Sequence, residues 1–287
     1  MVTNRTVVVL IVLASLNDPC SATGRIPTQP EAAGVSFEST QPGEVQVSVT
    51  VGGRGPYRFL LDTGSTHTAV HPDLAHVLSL RPVAKSSLTT STGTAEILIV
   101  RLDAVRVGPV EADGLLASVL PREADVALGP GVSGILGQDF LRHFNYTLDY
   151  RRSMVFWSNV PDSLPVDRLA LVRADGRFLV ELPQAAGSPP LRFVPDSGAD
   201  GILVFNPTAV SVSGQRTPGQ AQSLVGTAAT TTATLMALKV GRQTLRQQPA
   251  HVLNVEQPGV DRGDGLLPLH LFRRVHFNNA EGYMTVE

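Results

Sequence analysis

The sequence predicts an all-β protein made of two similar barrel-like lobes that face each other across a cleft. Three observations predict this class. Val, Thr, Leu, Gly and Pro are plentiful while aromatic residues make up only 5% of the chain, a composition typical of short strands joined by tight turns. Apolar and polar residues alternate with a period of two in several segments. A long internal repeat also divides the chain into two copies of one unit.

The internal repeat is the most informative of these observations. Pro56–Gly64 aligns with Pro190–Gly198, which puts Asp62 and Asp196 at equivalent positions. Three further pairs of segments follow in the same order and at a nearly constant offset: Val70–Pro72 with Phe205–Pro207, Thr92–Ala95 with Val225–Ala228, and Gly134–Leu136 with Gly265–Leu267. A repeat this long indicates a duplicated lobe rather than a solenoid, so we expect the two lobes to be related by a pseudo-twofold axis.

Each copy of the repeat reads as β structure. Alternation predicts a strand over 45–51, and after a glycine-rich turn at Gly52–Gly55 a partner strand, Tyr57–Leu61, runs into Asp62. Ala174–Gly176 is a hairpin turn signal in the second copy. Further strands are predicted over Glu96–Leu102, Tyr146–Tyr150, Leu169–Val172, Phe178–Leu182 and Thr234–Val240, and one short helix over Asp139–Phe144.

The chain divides into four predicted parts: a signal peptide at 1–22, a flexible linker at 23–34, a first lobe at 35–160 and a second lobe at 161–287. Arg5 precedes the apolar stretch Val7–Leu16, which is too short to span a bilayer, and Cys20–Ala22 resembles a signal-peptidase site. We therefore expect an exported protein, periplasmic or extracellular, without stable membrane insertion after cleavage. An uncleaved N-terminal anchor is the alternative.

The charge balance argues against several partners. With 23 Lys and Arg against 25 Asp and Glu, and no block of like charge, the sequence gives no reason to expect a nucleic acid or an anionic membrane. Because both copies of the unit lie in one chain, a monomer is expected, and a dimer in which each unit pairs with another chain is the alternative.

An apolar strand that ends in Asp-Thr/Ser-Gly can serve as a catalytic element. The strand fixes a carboxylate on a rigid element, and the glycine permits a turn in which a backbone amide approaches that carboxylate. On a pseudo-twofold axis the two loops would bring Asp62 and Asp196 into contact, so that the pair shares one proton. Five neighbours would support the pair: the hydroxyl residues Thr63 and Ser197, which can tie the lobes together, the glycines Gly64 and Gly198, and Ser65.

These motifs resemble those of the aspartic proteases of the retropepsin and pepsin clan. Leu60–Thr66 is similar to the active-site signature, and Gly134–Leu141 to the apolar-apolar-Gly segment behind the catalytic loop. The resemblance implies an aspartic endopeptidase that binds a peptide or protein substrate and needs no metal or cofactor. Gly93 and Gly226 lie at the position of the flap, the hairpin that covers substrate, in both copies. We therefore expect two fused retropepsin-like units, similar to bacterial members, rather than a true pepsin.

The second copy departs from the family pattern. Pro195 directly precedes Asp196 and removes a backbone donor, and Pro268 replaces the second glycine of the later segment. Ser65 follows the first Asp-Thr-Gly whereas Ala199 follows the second motif. Because a hydroxyl donor stabilises a charged carboxylate, Asp62 is expected to be the ionised member of the pair.

Other interpretations remain open at this point. The lobes could be catalytically degenerate and act as a binding protein for extended peptides, or the two aspartates could simply cap turns. His67, His71 and His76 invite a metal-site interpretation but have no repeated counterpart, so surface histidines are favoured. Arg262–Asp264 is interpreted as a chance match to an adhesion motif.

Overall fold

The computed structural model describes residues 33–90, 93–157, 167–174, 176–184, 188–208, 210–253 and 263–287, together with the backbone at 6–7 and 12–13. The predicted signal-peptide cleavage site, most of the predicted linker and the predicted lobe boundary at 160 lie outside these residues. The strand that begins at Ala33 includes the last two positions of the predicted linker.

Fourteen strands precede residue 158 in the described part of the chain. They are β1 (Thr6–Val7), β2 (Val12–Leu13), β3 (Ala33–Ser36), β4 (Gln46–Val51), β5 (Arg54–Leu61), β6 (Ala69–Val70), β7 (Pro82–Thr89), β8 (Thr94–Leu102), β9 (Val105–Val107), β10 (Val110–Ala112), β11 (Leu115–Val119), β12 (Gly134–Leu136), β13 (Tyr146–Asp149) and β14 (Met154–Trp157). The helices are α1 (Pro72–Val77), α2 (Asp125–Leu128) and α3 (Gln138–Leu141), with a 3-10 turn at Arg122–Ala124.

Ten described strands follow residue 166. They are β15 (Leu169–Ala174), β16 (Arg177–Leu182), β17 (Leu191–Asp196), β18 (Ile202–Val204), β19 (Val212–Ser223), β20 (Gly226–Val240), β21 (Gln243–Leu253), β22 (Gly265–Pro268), β23 (Arg274–Asn278) and β24 (Tyr283–Val286), with a 3-10 turn at Leu269–Leu271. The all-β class predicted from the sequence is confirmed.

The first lobe is built on a ten-stranded sheet with the order β10-β9-β4-β5-β12-β6-β11-β8-β7-β2. At its centre β12 pairs in parallel with β5 and antiparallel with β6. Gly134 makes this insertion possible, because a Cβ there would clash with the carbonyl oxygen of Ala69 and the ring of Phe59. The strand that leads into Asp62 is therefore held on both sides and buried.

The second lobe repeats this central arrangement. Strand β22 pairs in parallel with β17 and antiparallel with β18. Gly265 has the role of Gly134, since a Cβ there would clash with the carbonyl oxygen of Leu203 and approach the ring of Phe193. The duplicated unit inferred from the sequence thus corresponds to a duplicated strand topology.

A sheet shared by the two lobes joins them. It is the part of a 14-stranded sheet with the order β15-β24-β23-β13-β14-β3, in which three strands of the second copy are followed by three strands of the first. The central pair is β13 with β23, where Tyr146 lies opposite Phe277 and the two rings stack with centroids 4.9 Å apart. Trp157 packs against Tyr146 in the same apolar layer. One continuous apolar core therefore runs through both lobes and the sheet that joins them.

The helices differ from the sequence-based prediction. The helix predicted over Asp139–Phe144 is α3, one residue earlier and shorter, and α1 was not predicted. Its signals are local: Pro72 occupies the first turn, Asp73 is an acidic residue near the N-terminus, and the His71 side chain accepts a hydrogen bond from the Asp73 amide. Within the described residues, no helix combines the length and apolarity that a bilayer crossing requires.

Candidate active site

Asp62 and Asp196 end equivalent strands and meet at the junction of the lobes. Asp62 follows β5, where its amide donates to the carbonyl oxygen of Leu136 on β12 over 3.0 Å. Asp196 is the last residue of β17 and lies opposite Pro268 on β22. Both side chains are fully buried. The duplicated topology therefore delivers two carboxyl groups to one position.

Each carboxyl group lies against the glycine of the opposite catalytic loop. A Cβ added to Gly64 would lie 2.6 Å from Cγ of Asp196, and one added to Gly198 would lie 2.9 Å from Cγ of Asp62. The absence of a side chain at both glycines is thus what lets the carboxyls approach. They lie close enough that the charge of Asp62 raises the pKa of Asp196, an arrangement that two carboxylates tolerate only when they share a proton.

Hydroxyl groups tie the two loops together reciprocally. Thr63 Oγ1 donates to the carbonyl oxygen of Pro195 over 2.7 Å and accepts from the Ser197 amide over 3.0 Å. Ser197 Oγ donates to the carbonyl oxygen of Leu61 over 2.7 Å and accepts from the Thr63 amide over 3.0 Å. These four buried bonds fix each loop to the opposite strand, the role expected for the two hydroxyl residues.

The donors around the two carboxyls are unequal. Asp62 accepts from the Gly64 amide at 2.9 Å, the Ser65 amide at 3.2 Å and Ser65 Oγ at 2.5 Å. Asp196 accepts from the Gly198 amide at 2.7 Å and from the Ala199 amide, and its Oδ2 receives no N–H or hydroxyl donor among the described groups. The negative charge is consequently better stabilised on Asp62.

Burial dominates the ionisation of the pair. It raises the pKa of Asp62 to about 6, against the opposing effect of the Ser65 hydroxyl and the backbone donors. It raises the pKa of Asp196 well above the ordinary value of 3.8, and the neighbouring Asp62 charge raises it further. Asp196 therefore keeps its proton more readily than Asp62 does.

Pro195 removes one backbone hydrogen bond from the strand that leads into Asp196, but it does not displace Asp196. In the first lobe the amide of Leu61 donates to the carbonyl oxygen of Val45 over 2.8 Å, whereas Pro195 has no N–H to make the equivalent bond. The pairing of β16 with β17 accordingly ends at Phe193. The parallel pairing with β22 continues through Asp196, which keeps the carboxyl in position.

A buried polar group behind the first loop was missed in the sequence analysis. Asp139 Oδ1 accepts from the Thr68 amide and Thr68 Oγ1, both at 2.8 Å, and from the Phe140 amide at 2.9 Å. Gln138 Nε2 donates to the carbonyl oxygen of Thr63 over 2.7 Å. The polar pair Gln138 and Asp139, which follows the apolar strand β12, could have indicated this buried polar group from the sequence.

Two hairpins of unequal length meet across the cleft. The first hairpin is β7 with β8 and the second is β19 with β20, and their tips contain Gly93 and Gly226, the residues predicted for the flaps. Thr90 Oγ1 lies 2.7 Å from Ser223 Oγ. A hairpin is thus present at the predicted position in both copies, and the tips contact each other.

The other candidate residues have local partners. His71 Nε2 lies 2.5 Å from Asp125 Oδ1, and the same side chain caps α1. His67 lies against Thr66, with Nδ1 2.9 Å from Oγ1, and burial lowers its pKa. Within the described ranges no three His, Cys, Asp or Glu side chains are arranged so that they could hold a metal ion. The Asp264 carboxylate accepts from the Arg192 amide over 2.8 Å, a structural role for this part of the adhesion-like triplet.

Comparison with known proteins concerns the fold and the sequence pattern of the first lobe. An aspartic proteinase from Irpex lacteus is 14% identical, and the alignment covers 89% of this chain and 97% of that chain with a TM-score of 0.52. The chain therefore has the two-lobed fold of the pepsin-like aspartic proteinases. A sequence profile described as aspartyl protease matches residues 47–140, from β4 into α3. The family resemblance recognised in the sequence is confirmed.

A retropepsin-like aspartic protease from Rickettsia conorii is also similar, with 17% identity, 44% of this chain and 88% of that chain covered, and a TM-score of 0.30. No curated protein matches the sequence. The profile match places an aspartyl-protease sequence pattern in the first lobe, and the structural similarity shows the fold.

Proposed function

We propose that this chain is an aspartic endopeptidase that hydrolyses peptide bonds with a water molecule activated between Asp62 and Asp196. The observation that carries the proposal is the contact of two fully buried carboxyls, each seated on the other loop's glycine. Two carboxyls in contact supply a base and an acid in one place, because only one of them can readily lose its proton.

The unequal donors support different roles for the two carboxyls. Asp62, with three donors including Ser65 Oγ at 2.5 Å, is the ionised group and accepts a proton from the water. The water oxygen then attacks the carbonyl carbon of the peptide bond, while the proton on Asp196 polarises the carbonyl oxygen. Asp62 then passes the proton it took from the water to the leaving nitrogen as the C–N bond breaks, while Asp196 retains its own proton, so the carboxyl pair returns to its starting state.

The substrate is an extended peptide held as an added strand in the cleft beneath Gly93 and Gly226. Backbone hydrogen bonds from the hairpins and the catalytic loops would give affinity, and alternate side chains would enter the lobes. The lobe walls near the carboxyls are apolar, with Leu60 and Ile135 beside the first loop. The proposal therefore includes a preference for apolar side chains next to the cleaved bond.

Cleavage of a peptide library tests the proposal. Asp62→Asn and Asp196→Asn are each expected to lower kcat/KM by at least about a hundredfold, since general acid–base catalysis typically contributes about 10²–10⁴-fold. Asp103→Asn, at an exposed carboxylate, is the matched control and should keep wild-type activity. Folding of each variant is checked by its thermal unfolding transition.

Two results would contradict the proposed function. If the wild-type protein cleaves no peptide between about pH 3 and pH 8 but binds extended peptides, the proposal is wrong and the cleft is a peptide receptor. Equal activity of the two asparagine variants and wild type would exclude the carboxyl pair as the catalytic centre.

A further inference from the structure

The tip of the second hairpin has an unusual composition for a tight turn. Ser223 pairs with Gly226, so the two residues between them, Leu224 and Val225, form the turn. Turn positions of this kind favour Gly, Asn and Asp, and hairpin tips commonly face solvent. Leu224 is instead fully buried. The tip of the second hairpin therefore packs against another part of the molecule.

That site belongs to the first lobe. Leu224 packs into an apolar cluster made of first-lobe side chains, and Val225 packs at its margin. The cluster includes Leu60 and Ile135 from the central strands, Leu88 and Ile97 from the first hairpin, and Leu120 and Leu128 from the lobe wall. We call this cluster the first-lobe pocket.

The first-lobe pocket adjoins the carboxyl pair. Leu60 lies opposite Ile135 in the sheet, and Asp62 is two residues further along the chain from Leu60. Since alternate residues of a strand point to one face and rise about 3.3 Å each, the floor of the pocket lies about 7 Å from Asp62 along the chain. Leu224 thus occupies an apolar space beside the carboxyl pair.

Polar contacts hold the tip in place. Thr90 Oγ1 and Ser223 Oγ form a buried hydrogen bond of 2.7 Å between the hairpins. Ser223 Oγ also accepts from the Val225 amide over 3.3 Å, which shapes the turn. Val225 Cγ2 would lie 3.7 Å from a Cβ on Gly93, so the two tips are in close apposition.

We propose that Leu224 is an autoinhibitory plug, which an apolar side chain of the ligand must displace from the first-lobe pocket before the cleft can be occupied. This inference rests on the proposed function, because it takes the cleft to be the peptide site. The state with Leu224 seated does not bind ligand. The apparent dissociation constant is therefore the intrinsic constant divided by the fraction of molecules in which the second hairpin has withdrawn.

Peptide binding in an Asp196→Asn background tests the plug separately from catalysis. The probe is a fluorescein-labelled octapeptide with leucine at its centre, followed by fluorescence anisotropy. Leu224→Ala is expected to lower the apparent Kd by at least about fivefold, because it raises the ligand-competent fraction. Met236→Ala, at a partly exposed apolar residue of the same hairpin, is the control and should leave the Kd unchanged.

An unchanged or higher Kd for Leu224→Ala would overturn the proposal, since the tip would then be neutral or would itself help to hold the ligand. Failure of the proposed function gives a different pattern. In that case the wild-type chain cleaves no peptide, yet Leu224→Ala still tightens binding in the Asp196→Asn background.

A reversible lock provides a second test that does not depend on Leu224→Ala folding well. Thr90→Cys and Ser223→Cys are combined in a Cys20→Ser chain, because two side chains whose oxygens lie 2.7 Å apart are close enough for a disulfide. The oxidised protein is expected to bind the octapeptide at least about tenfold more weakly than the reduced protein. Equal binding in both redox states would contradict the plug.

Discussion

The two lobes share a backbone design and differ in the side chains that support it. Both have a parallel strand pair ending at a carboxyl, a glycine at the insertion point and a hydroxyl bonded to the opposite loop. Ser65 beside Asp62 is matched by Ala199 beside Asp196, and Asp139 in the first lobe is matched by His270 in the second. The symmetry of the backbone brings the carboxyls together, while the asymmetry of their surroundings gives them different proton affinities.

The hairpins show the same contrast on a larger scale. The first hairpin has strands of 8 and 9 residues, whereas the second has strands of 12 and 15. The longer one reaches into the opposite lobe, and the shorter one helps to form the pocket that receives it. Duplicated units have therefore acquired complementary roles, one as an inserting element and the other as its receptor.

Neutralising both members of the carboxyl pair should produce the largest effect. Each native pKa is raised above 3.8, so the folded protein holds more protons than the unfolded chain, and stability falls as pH rises from about 4 through 6. Asp62→Asn combined with Asp196→Asn should remove that loss. The shift of Asp62 alone corresponds to on the order of 3 kcal/mol, at about 1.4 kcal/mol per pKa unit.

The measurement is the free energy of unfolding in urea at pH 4 and at pH 7. The double variant should lose less stability between the two pH values than wild type does, while Asp103→Asn, at an exposed carboxylate, should behave like wild type. An identical loss in the double variant and wild type would mean that the pair is not responsible for the pH dependence.

Asp139 and His270, which lie behind the two catalytic loops, should contribute unequally to the free energy of unfolding. Asp139→Ala leaves three donors of Thr68 and Phe140 without their acceptor, which is expected to cost about 2–3 kcal/mol. His270→Ala removes a hydrogen bond to the carbonyl oxygen of Ala199 at a less buried site and should cost about 1 kcal/mol. Urea unfolding of both variants gives the comparison, and a larger cost for His270→Ala would reverse the inferred order.

The neighbouring residues Ser65 and Ala199 should set the two limbs of the pH–rate profile. Ser65→Ala removes the hydroxyl that lowers the pKa of Asp62, so the acidic limb of kcat/KM should move to higher pH by about one unit. Ala199→Ser adds a donor near Asp196 and should move the alkaline limb to lower pH. A fluorogenic peptide assayed across the pH range measures both limbs. Limbs that stay in place in both variants would show that these neighbours do not control the pair.

The features that repeat along the chain were predictable from the sequence. The offset between Asp62 and Asp196, and the later match of Gly134–Leu136 with Gly265–Leu267, led to the correct topology because each is a local motif with a known backbone requirement. The tie between Thr63 and Ser197 followed from the same symmetry. Glycine and hydroxyl residues carry this information because few other residues satisfy the geometry.

Contacts that break the symmetry were not predictable. Asp139 meets Thr68 from 71 positions away, and no counterpart in the second copy drew attention to it. The burial of Leu224 depends on how far the second hairpin reaches, which is set by strand twist and length rather than by local pattern. The consequence of Pro195 was also open, since a missing amide can either break a strand or merely end one side of its pairing.

The shared sheet has a consequence for how the protein behaves on dilution. Because β13 and β23 pair within one polypeptide, the two halves of the carboxyl pair are held at an effective concentration that the surrounding solution does not change. If the two lobes were separate subunits, they would dissociate at low protein concentration, and the carboxyl pair at their junction would be lost. Here one chain supplies both carboxyls, so their meeting does not depend on the protein concentration.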